Sequence, residues 1–366
     1  MLKAYTNAKI HFLSKNQEVR DTLGSFSLTQ GKRTLWLTHF KGDFIKPCPG
    51  TANAYRCCNY IVINQTTNCP LDCSYCILQG YISNPAITIY TNYHKINEEI
   101  KLLSLYNSER ILRIGTGELT DSLALDPVIS LSQKLIDTVQ DTPNILLELK
   151  TKTNHIHHLL NLNPDKIVLS WSVNPESIIL SEEHKSSAIQ QRLDAANHAI
   201  RKGFLIGIHF DPIIYLNDWE TTYSSLIQKI AESIDPKRIA WISLGSLRFP
   251  KALKEIYRYR FPKSRIFSGE QIKGLDGKLR YIRPIRLSLY SHIYHQLQKV
   301  LGDVFVYFCM ESEDIWQKII GKKPTSSLDI DWYFAKALFH KFPELKLPEP
   351  RKIIYQKQIN FPKESN

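Results

Sequence analysis

Residues 60–76 read YIVINQTTNCPLDCSYC: a short β-type apolar run, Tyr60–Asn64, followed by three cysteines in eight residues. Cys69, Cys73 and Cys76 stand at C-x3-C-x2-C spacing, with an aromatic, Tyr75, before the last. Three thiolates can hold three irons of a four-iron cluster and leave the fourth open to a small chelating ligand, whereas a closed electron-transfer cluster takes four. The alternative is a zinc knot in which Cys57 or Cys58 supplies a fourth ligand. Zinc cysteines, however, come more often as two C-x2-C pairs. A strand that runs directly into a loop bearing the chemistry is the layout of barrel enzymes, which carry their sites at the C-terminal ends of parallel strands.

Five further β-type runs follow, at Ile111–Gly115, Ile145–Leu149, Ile167–Val173, Phe204–Phe210 and Ile239–Leu244. Segments of helical period separate them, the signature of repeated βα units. Asp126 and Pro127 read as N-cap and first helical residue of a helix with Val128, Leu131, Leu135 and Val139 on one face. Ile189, Leu193, Ala196 and Ile200 form a similar stripe that stops at Gly203, and Tyr223, Leu226, Ile227, Ile230 and Ile234 form a third. Six units predict an α/β fold, a partial (βα)6 TIM-type barrel, with a doubly wound sheet as the alternative. Polar residues cluster just after the runs: Gly115–Glu118, Lys150 and Lys152, Ser172 and Asn174, His209 and Asp211, Ser243 and Ser246. The expected organisation is an N-terminal extension over 1–58, the barrel over 59–250 and a basic C-terminal region over 251–366.

The 366 residues suffice to bury a full core. The first twenty are too polar for a signal peptide, and no apolar run approaches the roughly 18 residues of a membrane span. Seven cysteines, an odd number clustered in part, suit ligand chemistry in a reducing compartment better than a disulfide framework, so the expected location is the cytoplasm. Cys48, Cys57 and Cys58 lie close enough in sequence to lend a thiol to the site. Cys309, in VFVYFCM, reads as core, and His155, His157 and His158 read as helix surface.

The chain carries 47 basic and 35 acidic residues, a net charge of +12. Between Arg248 and Arg286 stand twelve Lys or Arg against three acids, so that stretch alone supplies +9. Its basic residues interleave with Phe249, Tyr257, Tyr259, Phe261, Phe267 and Tyr281, a mixture that neutralises phosphates and stacks on unpaired bases. Within it GEQIKGLDGKLRYIRP reads as a β-hairpin turning at Asp276-Gly277, which places Lys273, Lys278 and Arg280 on a basic ribbon with Arg248 nearby. The expected partner is DNA.

The cysteine triplet with its preceding aromatic resembles the signature of the radical S-adenosylmethionine (SAM) superfamily. Further stretches resemble the spore photoproduct lyase family within it: FKGDFIKPCPGT, CSYCILQGYISNP, TDSLALD, KTKTNHIHHLL, LSWSVNP, GIHFDPII followed by NDWE, and SLGSLRFPKALKEIY, together covering roughly residues 40–260. The resemblance implies a partial (βα)6 barrel, a 4Fe-4S cluster on Cys69, Cys73 and Cys76, and SAM as second cofactor. It also implies a lyase that needs a reducing electron donor, makes a 5′-deoxyadenosyl radical, abstracts hydrogen from a nucleobase and reverses a thymine lesion in UV-damaged DNA. Tyr75, Gly115, Gly117, Glu118, Thr120, Lys152 and Ser172 would then surround the cofactor. Lys152 would hold the SAM carboxylate, Glu118 its ammonium, and the two glycines would let the backbone approach it. His209 and Asp211 could face the substrate or the ribose. In two places the chain departs from the family's pattern. Glu118 stands where the lyases carry a hydrogen-returning cysteine, and Ile77 where they carry a tyrosine. The hydrogen donor is therefore unassigned, and the same chemistry on RNA or a modified nucleoside, or a nucleic-acid-binding module with a structural metal, stay open.

Overall fold

The computed structural model describes residues 8–13, 27–49 and 55–362. Most of the polar opening stretch, and the end of FKGDFIKPCPGT, lie outside them. Eight strands form the central sheet: β1 Ile45–Pro47, β2 Ile61–Ile63, β3 Leu112–Gly115, β4 Ile145–Thr151, β5 Ile167–Ser172, β6 Leu205–Ile213, β7 Ile239–Ser246 and β8 Val306–Phe308. Each pairs with its chain neighbour, β1 antiparallel to β2 and all others parallel. A doubly wound sheet reverses its strand order at a switch point, and this order never reverses. The six expected runs are β2 to β7. The two outer strands lie beyond 59–250, so the sheet recruits both flanking segments.

Side-chain contacts show that the sheet curls. Arg113 of β3 donates from Nη1 to Tyr307 Oη of β8 at 2.9 Å. Five strand spacings would separate these strands by roughly 24 Å in a flat sheet. Only an arc brings them together. Inside the arc lies the carboxylate of Glu148, on β4. It accepts from Ser170 Oγ of β5 at 2.6 Å and Trp241 Nε1 of β7 at 3.2 Å, contacts His209 Nε2 of β6 at 2.6 Å, and lies 4.0 Å from Arg113 Nη1. Consecutive strands β3 to β7 thus each give one polar side chain to a single buried cluster.

The helices follow the expected stripes, Ile189–Arg201 ending before Gly203 at φ +92° and Trp219–Ser233 burying Tyr223, Leu226, Ile227 and Ile230. The stripe after β3 is instead two helices, Asp126–Ile129 and Leu131–Gln140, broken at Ser130 with φ +52°. The Asp126 carboxylate caps the second, accepting from Leu131 N and Ser132 N at 2.9 and 3.0 Å. Its other oxygen lies 2.6 Å from His158 Nε2, so His158 is tied into this break and is not free helix surface; residues 157–159 form a 3-10 turn. The C-terminal helix Ser327–Lys341 sets Phe334 against Trp241 and Tyr307, with ring centroids 4.9 and 5.9 Å apart. Its Asp331 accepts from Arg110, just before β3, at 2.9 Å from Nε, and Arg110 Nη1 reaches the Lys357 carbonyl at 2.9 Å. The hairpin forms as short strands Ile272–Lys273 and Leu279–Arg280 with Gly277 at φ +80°, joined by Arg248–Phe249 as a third strand.

Removing one partner of a buried ion pair strands the other charge. Asp331→Ala should therefore lower stability by about 3–5 kcal/mol, read as a drop in the urea midpoint.

Candidate active site

The cysteine loop leaves β2 at the C-terminal edge of the sheet. Its entry residue Asn68 has φ +67° and donates from Nδ2 to the Asn84 and Ala86 carbonyls at 2.6 and 2.9 Å. The Asn68 carbonyl in turn accepts from Thr120 Oγ1 at 2.7 Å. Gln79 Nε2 holds the Cys73 and Ser74 carbonyls, both at 3.0 Å. Cys69 and Cys73 are buried and Cys76 half-buried. Burial, aided by the charge of Asp121, pushes the Cys69 thiol up to about 12, and burial with Glu183 raises Cys73 well above the usual thiol range. The charge of Cys76 acts on both of these thiols, and that of Cys69 on Cys73, so the three share one space. Among the described residues no group of three or more His, Cys, Asp or Glu converges on a single-ion position. A cluster does not need that convergence, because each thiolate binds its own iron. Cys58 is not drawn to the loop: its sulfur accepts from Arg113 Nη2 at 2.7 Å, and it interacts with Cys57.

Beneath the loop, Tyr75 and Lys152 meet at a residue that sequence reasoning missed, and Ser172 is joined to it through Arg192. Glu183 pairs in antiparallel register with Cys73. Its Oε1 accepts from Tyr75 Oη, and from Asn174 Nδ2 at 2.9 Å, and lies 3.6 Å from Lys152 Nζ. Its Oε2 accepts from Arg192 Nη2 at 2.6 Å, while Arg192 Nη1 donates to the Ser172 carbonyl at 2.8 Å. Burial alone would raise this carboxyl; Lys152 and Arg192 instead hold it at about 2. The visible signal was slight, an acidic pair, Glu182-Glu183, at the end of the short helix Glu176–Glu182.

On the opposite rim the two glycines are already closely packed. A Cβ on Gly115 would sit 2.1 Å from Tyr60 Oη and 2.3 Å from the Glu148 carbonyl, and one on Gly117 2.6 Å from Lys150 Cβ. These glycines admit the protein's own side chains and backbone, so their small size does not require a ligand to explain it. Glu118 is partly exposed, 3.9 Å from Lys150 Nζ. Asp121, also missed, staples the rim: Oδ1 accepts from Leu123 N, Ala124 N and Thr151 Oγ1 at 3.0, 2.9 and 2.7 Å, and Oδ2 from Lys152 N at 2.8 Å.

The expected substrate residues divide. His209 is buried against Glu148, and that burial depresses its pKa against the pull of the carboxylate; it is a member of the interior cluster. Asp211 and Arg248 pair at 3.2 Å beside the mouth, and Arg248 Nη2 also donates to Cys309 Sγ at 3.2 Å. Cys309 is therefore a half-buried thiol at the end of β8, not a core residue. Lys273 is exposed and Lys278 half-exposed. Arg280, expected on the basic ribbon, is only 2% exposed, bound to Asp276 at 2.5 Å and stacked 4.0 Å from the Tyr55 ring centroid. It holds the turn and cannot reach a partner.

An open parallel arc with a three-thiol loop after its first parallel strand, at the C-terminal edge, defines the radical SAM superfamily. Within it the chain belongs to the spore photoproduct lyase family, whose model matches residues 53–304. A spore photoproduct lyase of Geobacillus sp. (strain Y412MC61) is 27% identical over 204 residues, 55% of this chain and 60% of the relative. That of Bacillus subtilis (strain 168) is 24% identical over 234 residues, 63% of this chain and 66% of the relative. The chain thus matches somewhat under two thirds of each relative's length. A solved spore photoproduct lyase mutant with dinucleoside spore photoproduct superposes with a TM-score of 0.74 at 24% identity, covering 84% of this chain and 93% of that one. Another, with bound AdoMet and the same dinucleoside, gives 0.67 at 23%, covering 82% and 88%.

Glu183 has a folded-state pKa depressed from 4.5 to about 2, so its stabilisation is present above pH 4.5 and is lost as pH falls through 2. Glu183→Ala should remove that acid sensitivity and cost about 3–5 kcal/mol by stranding buried Arg192, measured by urea denaturation at pH 7 and at pH 3.

Proposed function

We propose that this chain is a cytoplasmic radical SAM lyase acting on UV-damaged DNA, supplied by a reducing electron donor. The observation that carries the proposal is the pre-shaped loop of Cys69, Cys73 and Cys76 at the strand ends, with Tyr75, Lys152 and Ser172 gathered beneath it. The donor set fits a cluster: three soft sulfur ligands leave one iron open. Metal binding displaces thiol protons to solvent, so buried thiols that stay protonated alone would ionise as they take up metal. With both cofactors bound, the group supplies reductive cleavage of SAM to a radical that abstracts hydrogen.

The chain's own residues have separable tasks. Lys152 offers an ammonium for a carboxylate, poised on Glu183 at 3.6 Å. Tyr75 braces the loop from below through Glu183. Glu118, reached by Lys150, can accept hydrogen bonds from an amine. It cannot return a hydrogen atom, because its anion has none to give. Arg248 and Asp211 line the mouth, and the hairpin presents Lys273 and Lys278 beside exposed Ile272 and Leu275 to a nucleic acid. Relatives named spore photoproduct lyase, and a solved structure of that name with dinucleoside spore photoproduct, support the substrate class. Among the described residues no helix is long and apolar enough to cross a membrane. Glu118 and Ile77 favour one second reading, the same radical chemistry on RNA or a modified nucleoside.

After anaerobic reconstitution with iron, sulfide, reductant and SAM, 5′-deoxyadenosine should form and should vanish in Cys73→Ala; its absence in the wild type would end the radical assignment. UV-irradiated DNA should alter turnover where intact DNA does not. Equal turnover with both would shift the substrate to RNA or a nucleoside.

A further inference from the structure

The cysteine loop is gripped from outside by two cations that no other part of the site uses. Lys32 follows the short helix Leu28–Gly31, which packs so closely that a Cβ on Gly31 would lie 2.1 Å from the Pro85 carbonyl. That approach delivers the Lys32 ammonium to the loop backbone. It donates to the Cys69 carbonyl at 2.8 Å and to the Leu71 carbonyl, and lies 3.7 Å from Asp72 Oδ1. Arg260, at the end of the helix Leu253–Arg260, reaches the same place from the other flank of the chain. Its Nη2 donates to Asp72 Oδ1 at 2.8 Å and to Thr29 Oγ1 at 3.4 Å, and its Nη1 to Gln79 Oε1, the amide that holds the Cys73 and Ser74 carbonyls. Both cationic side chains are only 9% exposed.

Two features set this apart from an ordinary surface ion pair. Four carbonyls of the loop, those of Cys69, Leu71, Cys73 and Ser74, are held by Lys32 directly or by Arg260 through Gln79, so the grip fixes the backbone that aims the thiols. Two cations also share one carboxylate, Asp72, which leaves a net positive charge in a poorly hydrated place. A charge at this range acts strongly where water is scarce, and any cluster that accepts an electron becomes more negative. A neighbouring cation therefore favours the reduced form.

We propose that Lys32 and Arg260 are positioning residues: through Asp72 and Gln79 they lock the Cys69–Cys76 loop in its ligating shape before metal arrives, and Lys32 raises the reduction potential of the cluster held there. The second half rests on the proposed function; the first does not. Lys32 also precedes the family match, which begins at residue 53.

Hydrogen exchange of the metal-free protein tests the lock. Lys32→Met and, separately, Arg260→Gln should speed exchange across residues 69–76 at least tenfold while strands β4 to β7 keep wild-type protection, which doubles as the check that each variant folds. After reconstitution, Lys32→Met should lower the cluster's midpoint potential in an electron-paramagnetic-resonance titration, and Lys32→Arg should restore it. Wild-type exchange in both variants overturns the lock. Faster exchange with an unmoved potential overturns the charge role. A wild-type protein that assembles no cluster sinks the proposed function and the charge role together, while the exchange data still decide the lock.

Discussion

A single carboxylate organises the interior. Glu148 sits on β4 in an apolar setting, where an unpaired charge would be prohibitive. Its partners come from every strand around it, Arg113, Ser170, His209 and Trp241, so the charge is tolerable only when β3 to β7 are all in place and curved. Although burial opposes ionisation, His209 and Arg113 hold the group well below the usual carboxylate range. The cluster thereby selects one curvature of the sheet. That curvature in turn sets where the strand ends, and everything mounted on them, point.

The mouth is built by the same logic at smaller scale. Glu183 gathers Tyr75, Asn174, Lys152 and Arg192 under the cysteine loop, while Asp121 fixes the rim between β3 and β4. In both, an acid whose charge is met from several directions does the arranging, and the residues with candidate chemistry are its partners. Lys152 stands at the junction, its backbone N–H on Asp121 and its ammonium near Glu183.

Much of this was legible in the sequence where a pattern repeats or a spacing is chemically constrained. Six strands announced themselves by apolar runs at regular intervals, and the thiol spacing located the site. β8 was not legible because its three residues, Val306–Phe308, follow a long helix and look like generic core. Glu148 hides as one acid inside ILLELK, where period alone cannot say which polar residue points inward. Gly115 and Gly117 were read as room for a ligand because sequence shows that space is needed but not what fills it; Tyr60 and Lys150 fill it. Arg280 looked like part of a basic face because its partner Asp276, four residues away, is recognisable only after the turn has formed. Sequence exposes composition and period; pairing across long separations, such as Glu183 with Cys73, needs the folded chain.

Position 118 has an evolutionary consequence. Glu118 is partly solvent-exposed, and its only ionic neighbour within reach among the described residues is Lys150 at 3.9 Å. The staple that keeps the rim in shape belongs instead to Asp121, three residues on. A lineage can therefore exchange the side chain at 118 without paying in scaffold integrity. The rim backbone and the side chain at 118 answer to separate structural constraints, so the chemistry displayed at this edge can change by single substitutions while the strand ends stay in place.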